Sequence, residues 1–280
     1  MPVKIVTNST SDIPKEIAEE LDITIVAEYV VFGNKCYKDR IDISEDEFYE
    51  KLIHDRIRPT TSQPTPQDFL EVYNKLGKDA DGILSIHIGS HLSGTIRSAE
   101  QAKKLTCTKC PIEIIDSKTI SMALGIIVIT AARMAKEGNC FQEIVDAVNE
   151  MLNHIHVLIM FDTLEYLARG GRIGKAKAFV GSLLKTKPLL TIRDGEFTPV
   201  LQAYGKTKAK IKLIEFVSRF ENIEELCAVY STNREETVEL LKKITFFPNE
   251  RIILSRLGPV IGAHAGPGLI AIAVKTRSSC

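Results

Sequence analysis

Four short stretches of this chain gather hydroxyl side chains. Thr7-Asn-Ser-Thr-Ser11 follows an apolar run at Val3 to Val6, and Ser90-His-Leu-Ser-Gly-Thr95 follows one at Gly82 to Ile88. Asp116-Ser117 closes a third at Ile112 to Ile115, and Thr60-Thr-Ser-Gln63 lies among prolines. Hydroxyl groups donate without carrying charge, so they orient an anion without a strong ion pair. A helix predicted near Ile96 to Leu105 begins beside Ser93, Gly94 and Thr95. Its free N–H groups and positive dipole end favour an anion. Gly94 leaves out a side chain where a ligand would approach the backbone. Ser and Thr also cap helices with no ligand at all, so convergence of the four stretches decides whether they form a site.

The second candidate is Gly262-Ala-His-Ala-Gly-Pro-Gly268, read as a tight loop just before the last apolar run. The imidazole of His264 can donate to a carboxylate or phosphate, or simply be solvated. His87 lies inside an apolar run and is read as packed, while His54, His91, His154 and His156 carry no motif.

Several chemistries lack their motifs. The chain has no G-x-x-x-x-G-K-[ST], no G-x-G-x-x-G after a strand, no H-E-x-x-H and no G-x-S-x-G. Cys107-Thr-Lys-Cys110 has no second ligand pair for zinc, and Pro111 and a strand follow where a redox motif needs a helix. We read it as a loop coincidence and expect neither a metal nor a cofactor.

The elements that must position these residues follow from periodicity and punctuation. The first half reads as a strand at Val3 to Val6, a helix after Asp12-Ile-Pro14, and β structure over Ile23 to Phe32 turned back by Gly33-Asn34. Ser44-x-x-Glu47 is a capping box for a helix to about His54. Arg58 to Pro66 reads as a loop, and Thr65 caps the helix after it. Strands at Gly82 to Ile88 and Ile112 to Ile115 then alternate with helices near 96–105, 119–136 and 141–153. This β-α repetition predicts a Rossmann-like parallel sheet with helices on both faces. The hydroxyl stretches would then lie at the carboxyl edge of one sheet, where open α/β folds bind ligands.

From Val157 the pattern changes. Asp194-Gly195 between Leu189 to Ile192 and Phe197 to Tyr204 is a hairpin signal. A strand is expected at Val157 to Phe161, with helices at Ala176 to Leu184, Lys206 to Phe220 and Asn233 to Ile244. Further strands are expected at Leu226 to Tyr230, Arg251 to Leu254 and Leu269 to Val274. The expectation is a two-domain α/β chain: residues 1–153, and an α+β domain with a mixed or antiparallel sheet over 154–280.

The 280 residues fit two domains at roughly 150 each. Lys+Arg and Asp+Glu number 36 each, so bulk charge recruits neither nucleic acid nor an anionic membrane. The longest uncharged stretch, Thr119 to Ala132, falls short of the roughly 20 residues that span a bilayer and reads as a buried helix. The N-terminus shows no apolar signal region, and the six cysteines are scattered, so a reducing cytoplasm is expected. Charge is nevertheless uneven. Tyr166 to Lys212 holds eleven basic residues, including Arg169, Arg172, Lys175 and Lys185, against Asp194 and Glu196. That excess suggests an acidic or phosphorylated partner, or else a solvated surface.

Thr60-Thr-Ser-Gln-Pro-Thr-Pro66, Ile86-His-Ile-Gly-Ser-His-Leu-Ser-Gly-Thr95, Leu164-Glu-Tyr-Leu-Ala-Arg-Gly-Gly-Arg-Ile-Gly174 and His264-Ala-Gly-Pro-Gly268 together resemble the DegV family of bacterial fatty-acid-binding proteins. Thr7-Asn-Ser-Thr-Ser-Asp12 is similar to the family's D-S-T-x-D opening, but Asn8 departs from it and takes no assigned role. The resemblance implies one long-chain fatty acid, such as palmitate, buried between two domains. Thr61 and Ser93 would hold the carboxylate, and Ser62, Gly94, Thr95 and His264 would complete the pocket. It also implies presentation of the acid to a separate fatty acid kinase, with Arg169, Arg172 and Lys175 at the docking surface. That enzyme forms an acyl phosphate that feeds phospholipid synthesis. The chain itself would be a lipid-binding protein of fatty acid metabolism and not an enzyme. The helix over Thr119 to Ala132 and the run Val157 to Phe161 would line the tail's channel, although core packing explains both equally well.

Two other readings use the same residues. An acyl hydrolase or transferase would take Ser93 as nucleophile and His264 as base, but no third orienting residue is evident. A nucleic-acid module would use the basic segment, which lacks interleaved aromatics and a reader motif.

Overall fold

The computed structural model describes residues 2–55, 57–179 and 186–277. The chain opens with β1 (Val3–Asn8), buried along nearly its whole length as central parallel strands are. A 3-10 turn at Ser9–Ser11 follows, and α1 (Lys15–Glu20) starts after Pro14. The apolar run 23–32 is two strands. β2 (Thr24–Val26) and β3 (Tyr29–Phe32) belong to different sheets, and Ala27 and Glu28 occupy the break between them. Gly33, at φ 58°, turns β3 back into β4 (Lys35–Lys38).

Both predicted helix caps form, and the one at Thr65 proves to be a full capping box. Ser44 and Glu47 exchange side-chain and backbone bonds at the start of α2 (Glu45–His54). The stretch after it, expected as loop, contains β5 (Thr60–Ser62), which pairs antiparallel with β3. Thr65 and Asp68 repeat the box at α3 (Pro66–Leu76). β6 (Gly82–His87), α4 (Thr95–Leu105) and β7 (Ile112–Asp116) follow. α5 (Met122–Lys136) begins later than its apolar run because Lys118 and Ser121 take left-handed φ values of 53° and 57°. α6 (Phe141–Met151) ends the first half.

The second half starts with β8 (Ile155–Met160) and α7 (Glu165–Arg169). The helix expected over Ala176 to Leu184 is a 3-10 stretch at Gly174–Phe179, and residues 180–184 and Lys185 lie outside the described residues. β9 (Thr186–Arg193) and β10 (Glu196–Tyr204) form the expected hairpin. Asp194 at φ 51° and Gly195 at φ 78° supply the left-handed pair that its turn requires. Then come α8 (Gly205–Val217), β11 (Ile223–Tyr230), α9 (Arg234–Leu241), β12 (Ile253–Arg256), α10 (Pro259–Ala265) and β13 (Ile270–Thr276). The Gly262 to Gly268 segment is therefore mostly helix and not loop. α10 carries His264 in its last turn and stops at Gly266, where φ is 75°.

The strands form three sheets. The order β2-β1-β6-β7 is wholly parallel. The order β10-β9-β8-β13-β11-β12 is mixed, with only β11 and β12 parallel. β4-β3-β5 is a small antiparallel sheet. This is the mixed α/β architecture the sequence predicts.

One apolar cluster runs through both large sheets: Ile5 and Ile86 from the first, Ile126 and Ile127 from α5, and Ile159, Val229 and Ala271 from the second. α5 is buried on nearly every side between them, which accounts for its lack of charge before Arg133.

Candidate functional site

Parallel pairing of β1 with β6 brings their following loops to one sheet edge. Thr10 comes from the first loop and Ser93 from the second. β5 adds Thr61 and Ser62, and α10 adds Ile261 and His264. These side chains surround a cavity of about 160 Å³, together with Glu28, Arg172 and Phe197. Three of the four hydroxyl stretches thus converge. Asp116 of the fourth accepts instead from the Ser90 and Lys118 N–H groups, at 3.3 and 2.8 Å, and does not line the cavity.

Thr61 Oγ1 lies 2.7 Å from His264 Nε2. The other ring nitrogen, Nδ1, is buried with no partner among the described residues. A buried bare acceptor costs less than a buried orphan N–H, so the ring proton belongs on Nε2 and points at Thr61. The hydroxyl proton of Thr61 is then free for the cavity. Burial, reinforced by nearby Arg172, lowers the His264 pKa to about 4, so the ring is neutral at pH 7. Gly170 makes room for it, since a Cβ there would sit 2.0 Å from Nδ1.

Ser93 is held from behind. Its Oγ lies 2.8 Å from Thr95 Oγ1 and accepts from the Thr95 N–H at 3.3 Å. Thr95 Oγ1 bonds Glu28 Oε1 at 2.8 Å, and Asn8 Nδ2 donates to the same oxygen at 2.7 Å. Asn8 Oδ1 accepts from the Ile88 N–H and faces His87 Nδ1, each at 3.2 Å. His87 Nε2 meets Ser85 Oγ at 2.7 Å. A buried polar chain therefore runs from β6 to the cavity. Burial lowers the His87 pKa to about 3 and raises that of Glu28 to about 8. Both groups are uncharged at neutral pH, which leaves Arg172 as the only charged side chain on the cavity wall among the described residues.

Asp12 fixes α10 from its other end. Its Oδ1 accepts from the Gly258 N–H at 2.9 Å and pairs with Arg40 at 3.1 Å, while Oδ2 accepts from Ser121. The helix that bears His264 is thus tied to the loop after β1.

Two further spaces adjoin the cavity. Inward, a chamber of about 30 Å³ has purely apolar walls and shares Ile120, Phe197, Ile261 and Ala265 with it. Met122, Val157, Ile159 and Phe161 line this chamber, so the start of α5 and the strand β8 do face it. Outward, a basin of about 330 Å³ holds Arg58, Arg169 and Arg172 and shares Thr61, Arg172 and His264 with the cavity.

Ser62 lines the cavity, but Gly94 and Thr95 stand behind it. A Cβ on Gly94 would sit 2.2 Å from Gln63 Oε1, so the space it leaves is taken by Gln63. Ser93 and His264 share no hydrogen bond: Ser93 meets Thr95 and His264 meets Thr61. The basic segment also dissolves into local pairs. Lys175 meets Glu196, Lys187 and Lys206 meet Asp162, Lys210 meets Glu236, and Arg169 meets Glu165. Arg172 has no ion pair among the described residues and donates to the Leu92 and Gly170 carbonyls.

Sequence reasoning missed Glu28 and Asn8. The available signal was a single carboxylate inside the apolar run 23–32. Cys107 and Cys110 are free thiols, and among the described residues no three His, Cys, Asp or Glu side chains group to hold a metal. No described helix is long and apolar enough to cross a membrane.

The DegV family, described as uncharacterised protein, matches residues 2–277. A DegV domain-containing protein of Caldanaerobacter subterraneus is 36% identical over 269 residues, 95% of each chain. Among solved structures, a DegV family protein of Thermus thermophilus described for its fatty acid binding superposes with a TM-score of 0.91 at 32% identity, covering 99% of this chain and 100% of that one. DegV of Bacillus subtilis, described as a fatty acid binding protein, gives 0.88 at 30% identity over 99% and 100%. With its sequence matched from end to end and its fold shared, this chain belongs to the DegV family.

Proposed function

We propose that this protein binds one long-chain fatty acid, its carboxylate on Thr61 and Ser93 and its tail entering at the apolar chamber behind them, whose walls must part because about 30 Å³ holds only about one methylene. The observation that carries the reading is the change in wall chemistry between two adjoining spaces that share Ile120, Phe197, Ile261 and Ala265. Hydroxyl, imidazole, carboxyl and guanidinium groups stand among apolar ones in the outer cavity, and the inner chamber presents an apolar wall. A molecule with an anionic head and a hydrocarbon tail matches both ends. The fatty-acid-binding neighbours from Thermus thermophilus and Bacillus subtilis support the same ligand class.

Thr61 donates to one carboxylate oxygen, with His264 Nε2–H holding its hydroxyl in place. Ser93 donates beside it at the positive end of α4. Ser62 and Thr95 complete the polar rim, the second through Ser93. Burial of the tail contributes roughly 12 kcal/mol gross at about 0.8 kcal/mol per CH₂, reduced by the costs of association and ordering.

We read the bound acid as cargo presented to a separate fatty acid kinase in lipid metabolism, with Arg169, Arg172 and Lys175 as the docking edge. The outer basin supports this reading, because it opens beside Thr61 and His264 and carries three arginines. Phosphoryl transfer is then the partner's chemistry, and the cytoplasm is where that nucleotide-dependent enzyme would meet the protein.

Lipid extraction of the purified protein followed by mass spectrometry tests the ligand class. The expected result is close to one acyl chain per protein. No recovered acid, and no uptake of added palmitate or oleate, would overturn the proposal.

A further inference from the structure

Glu28 is the only carboxylate on the head-group cavity among the described residues, and it is 3% exposed. An acid beside the place assigned to another acid is unfavourable unless one of them holds a proton. The bonds around Glu28 set what a proton on Oε1, the oxygen that meets both Asn8 and Thr95, would do. Asn8 is oriented by the Ile88 N–H, so its amide nitrogen must point at Glu28 Oε1. Thr95 Oγ1 meets the same oxygen at 2.8 Å and Ser93 Oγ at 2.8 Å, and Ser93 faces the cavity.

Each hydroxyl has one proton to give. With Glu28 ionised, Thr95 gives its proton to Oε1 and Ser93 gives its own to Thr95. Ser93 then presents lone pairs to the cavity and repels a carboxylate. With a proton on Oε1 the order reverses: Glu28 donates to Thr95, Thr95 to Ser93, and the Ser93 proton is left for the ligand.

We propose that Glu28 holds a proton in the ligand-bound protein, and that this proton directs the Thr95–Ser93 relay so that Ser93 donates to the carboxylate. The inference rests on the fatty-acid reading above and adds Glu28 to it as a positioning residue.

The surroundings favour this state. Burial raises the Glu28 carboxyl most strongly, against the bond from Thr95; Asp39 adds to the rise, and Asn8 and Arg172 oppose it. The groups packed around it are Asn8 of β1, Ser9 of the following turn, Asp39 after β4, Thr95 of α4 and Arg172. Of these, only Asp39 and Arg172 can carry charge. The ligand's own negative charge would hold the proton on Glu28 more tightly still.

Above about pH 8 the free protein loses this proton and must regain it to bind. Affinity for cis-parinaric acid, titrated by fluorescence below its micelle concentration, should then fall roughly tenfold per pH unit, or about thirtyfold from pH 7 to 9.5. Glu28→Gln cannot titrate and should bind equally at both pH values. Calorimetry of the wild type at pH 9 in two buffers of different ionisation enthalpy should register uptake of nearly one proton per ligand. That measurement stands even if the variant does not fold. A flat wild-type profile, the same slope in Glu28→Gln, or no proton uptake would overturn the inference while leaving the ligand reading intact. Failure of both proteins to bind at any pH would overturn the ligand reading, and this inference with it.

Discussion

Thr61 Oγ1 and His264 Nε2 lie 2.7 Å apart although 203 positions separate them in the chain. This bond joins a strand of the small antiparallel sheet to the last helix of the second half. It stands where the cationic outer basin meets the head-group cavity. A ligand's head group at this bond would be reachable from outside while its tail stayed buried.

Thr61→Val and Ser93→Ala each remove one neutral donor. Each should weaken fatty acid binding only about five- to tenfold, because one hydrogen bond contributes about 1 kcal/mol and the tail supplies most of the affinity. Head-group chemistry should suffer more. With a competent fatty acid kinase, acyl phosphate trapped by hydroxylamine should fall further than binding does. Wild-type acyl-phosphate yield from both variants would show that these residues do not hold the carboxylate.

Gly170→Ala places a methyl group where the His264 ring now sits. The ring must swing away from Thr61 or the backbone must move, at a cost of about 1–3 kcal/mol. Urea unfolding should show that loss of stability, and fatty acid affinity should drop at least as far as in Thr61→Val. Unchanged stability and affinity would mean that the imidazole has room to spare.

These two residues show what sequence can and cannot reveal. The capping box at Ser44, the cap at Thr65 and the Asp194-Gly195 hairpin are set by neighbours within a few positions, and all three are legible. β5 is not. Thr60–Ser62 has prolines on both sides, and its strand exists because β3, some thirty residues earlier, offers an edge. α10 is hidden by Gly262 and by the glycines that follow it, and it is held by Asp12 from the far end of the chain. Glu28 is obscured because an apolar run breaks at that point without a turn residue. The basic segment misleads for the same reason, since Asp162, Glu165 and Glu236, which neutralise part of it, lie outside its bounds.

Ala273 lines the inner chamber and is 2% exposed. Ala273→Leu should shorten the acyl chains the protein accepts. A tail two carbons shorter gives up about 1.6 kcal/mol of burial, so the preference should move without binding being abolished. Mass spectrometry of co-purified acids should show the mean chain length falling. The wild-type acyl profile in this variant would place the tail elsewhere.

His87 makes stability depend on acid. Its native pKa of about 3 lies below the ordinary value of 6.5. Between these values the unfolded chain binds a proton that the native protein does not. Stability is therefore lost as pH falls from about 6.5, by up to about 1.4 kcal/mol per pH unit from this group. His264, held near 4, acts in the same direction over a narrower window. His87→Gln should be less stable at pH 7, through lost packing, but should lose stability more slowly between pH 6 and 4. Urea midpoints measured across that range decide it, and parallel slopes for the two proteins would contradict the buried neutral state.

A bound fatty acid should set its carboxylate against Thr61 and Ser93. Carbon-13 NMR of palmitate labelled at its carboxyl carbon, bound to the intact protein, observes that group directly. One bound resonance, distinct from free palmitate, should appear, shift in both Thr61→Val and Ser93→Ala, and stay in place in a remote variant such as Arg251→Ala. A bound resonance indifferent to both substitutions, or no bound resonance at all, would contradict it.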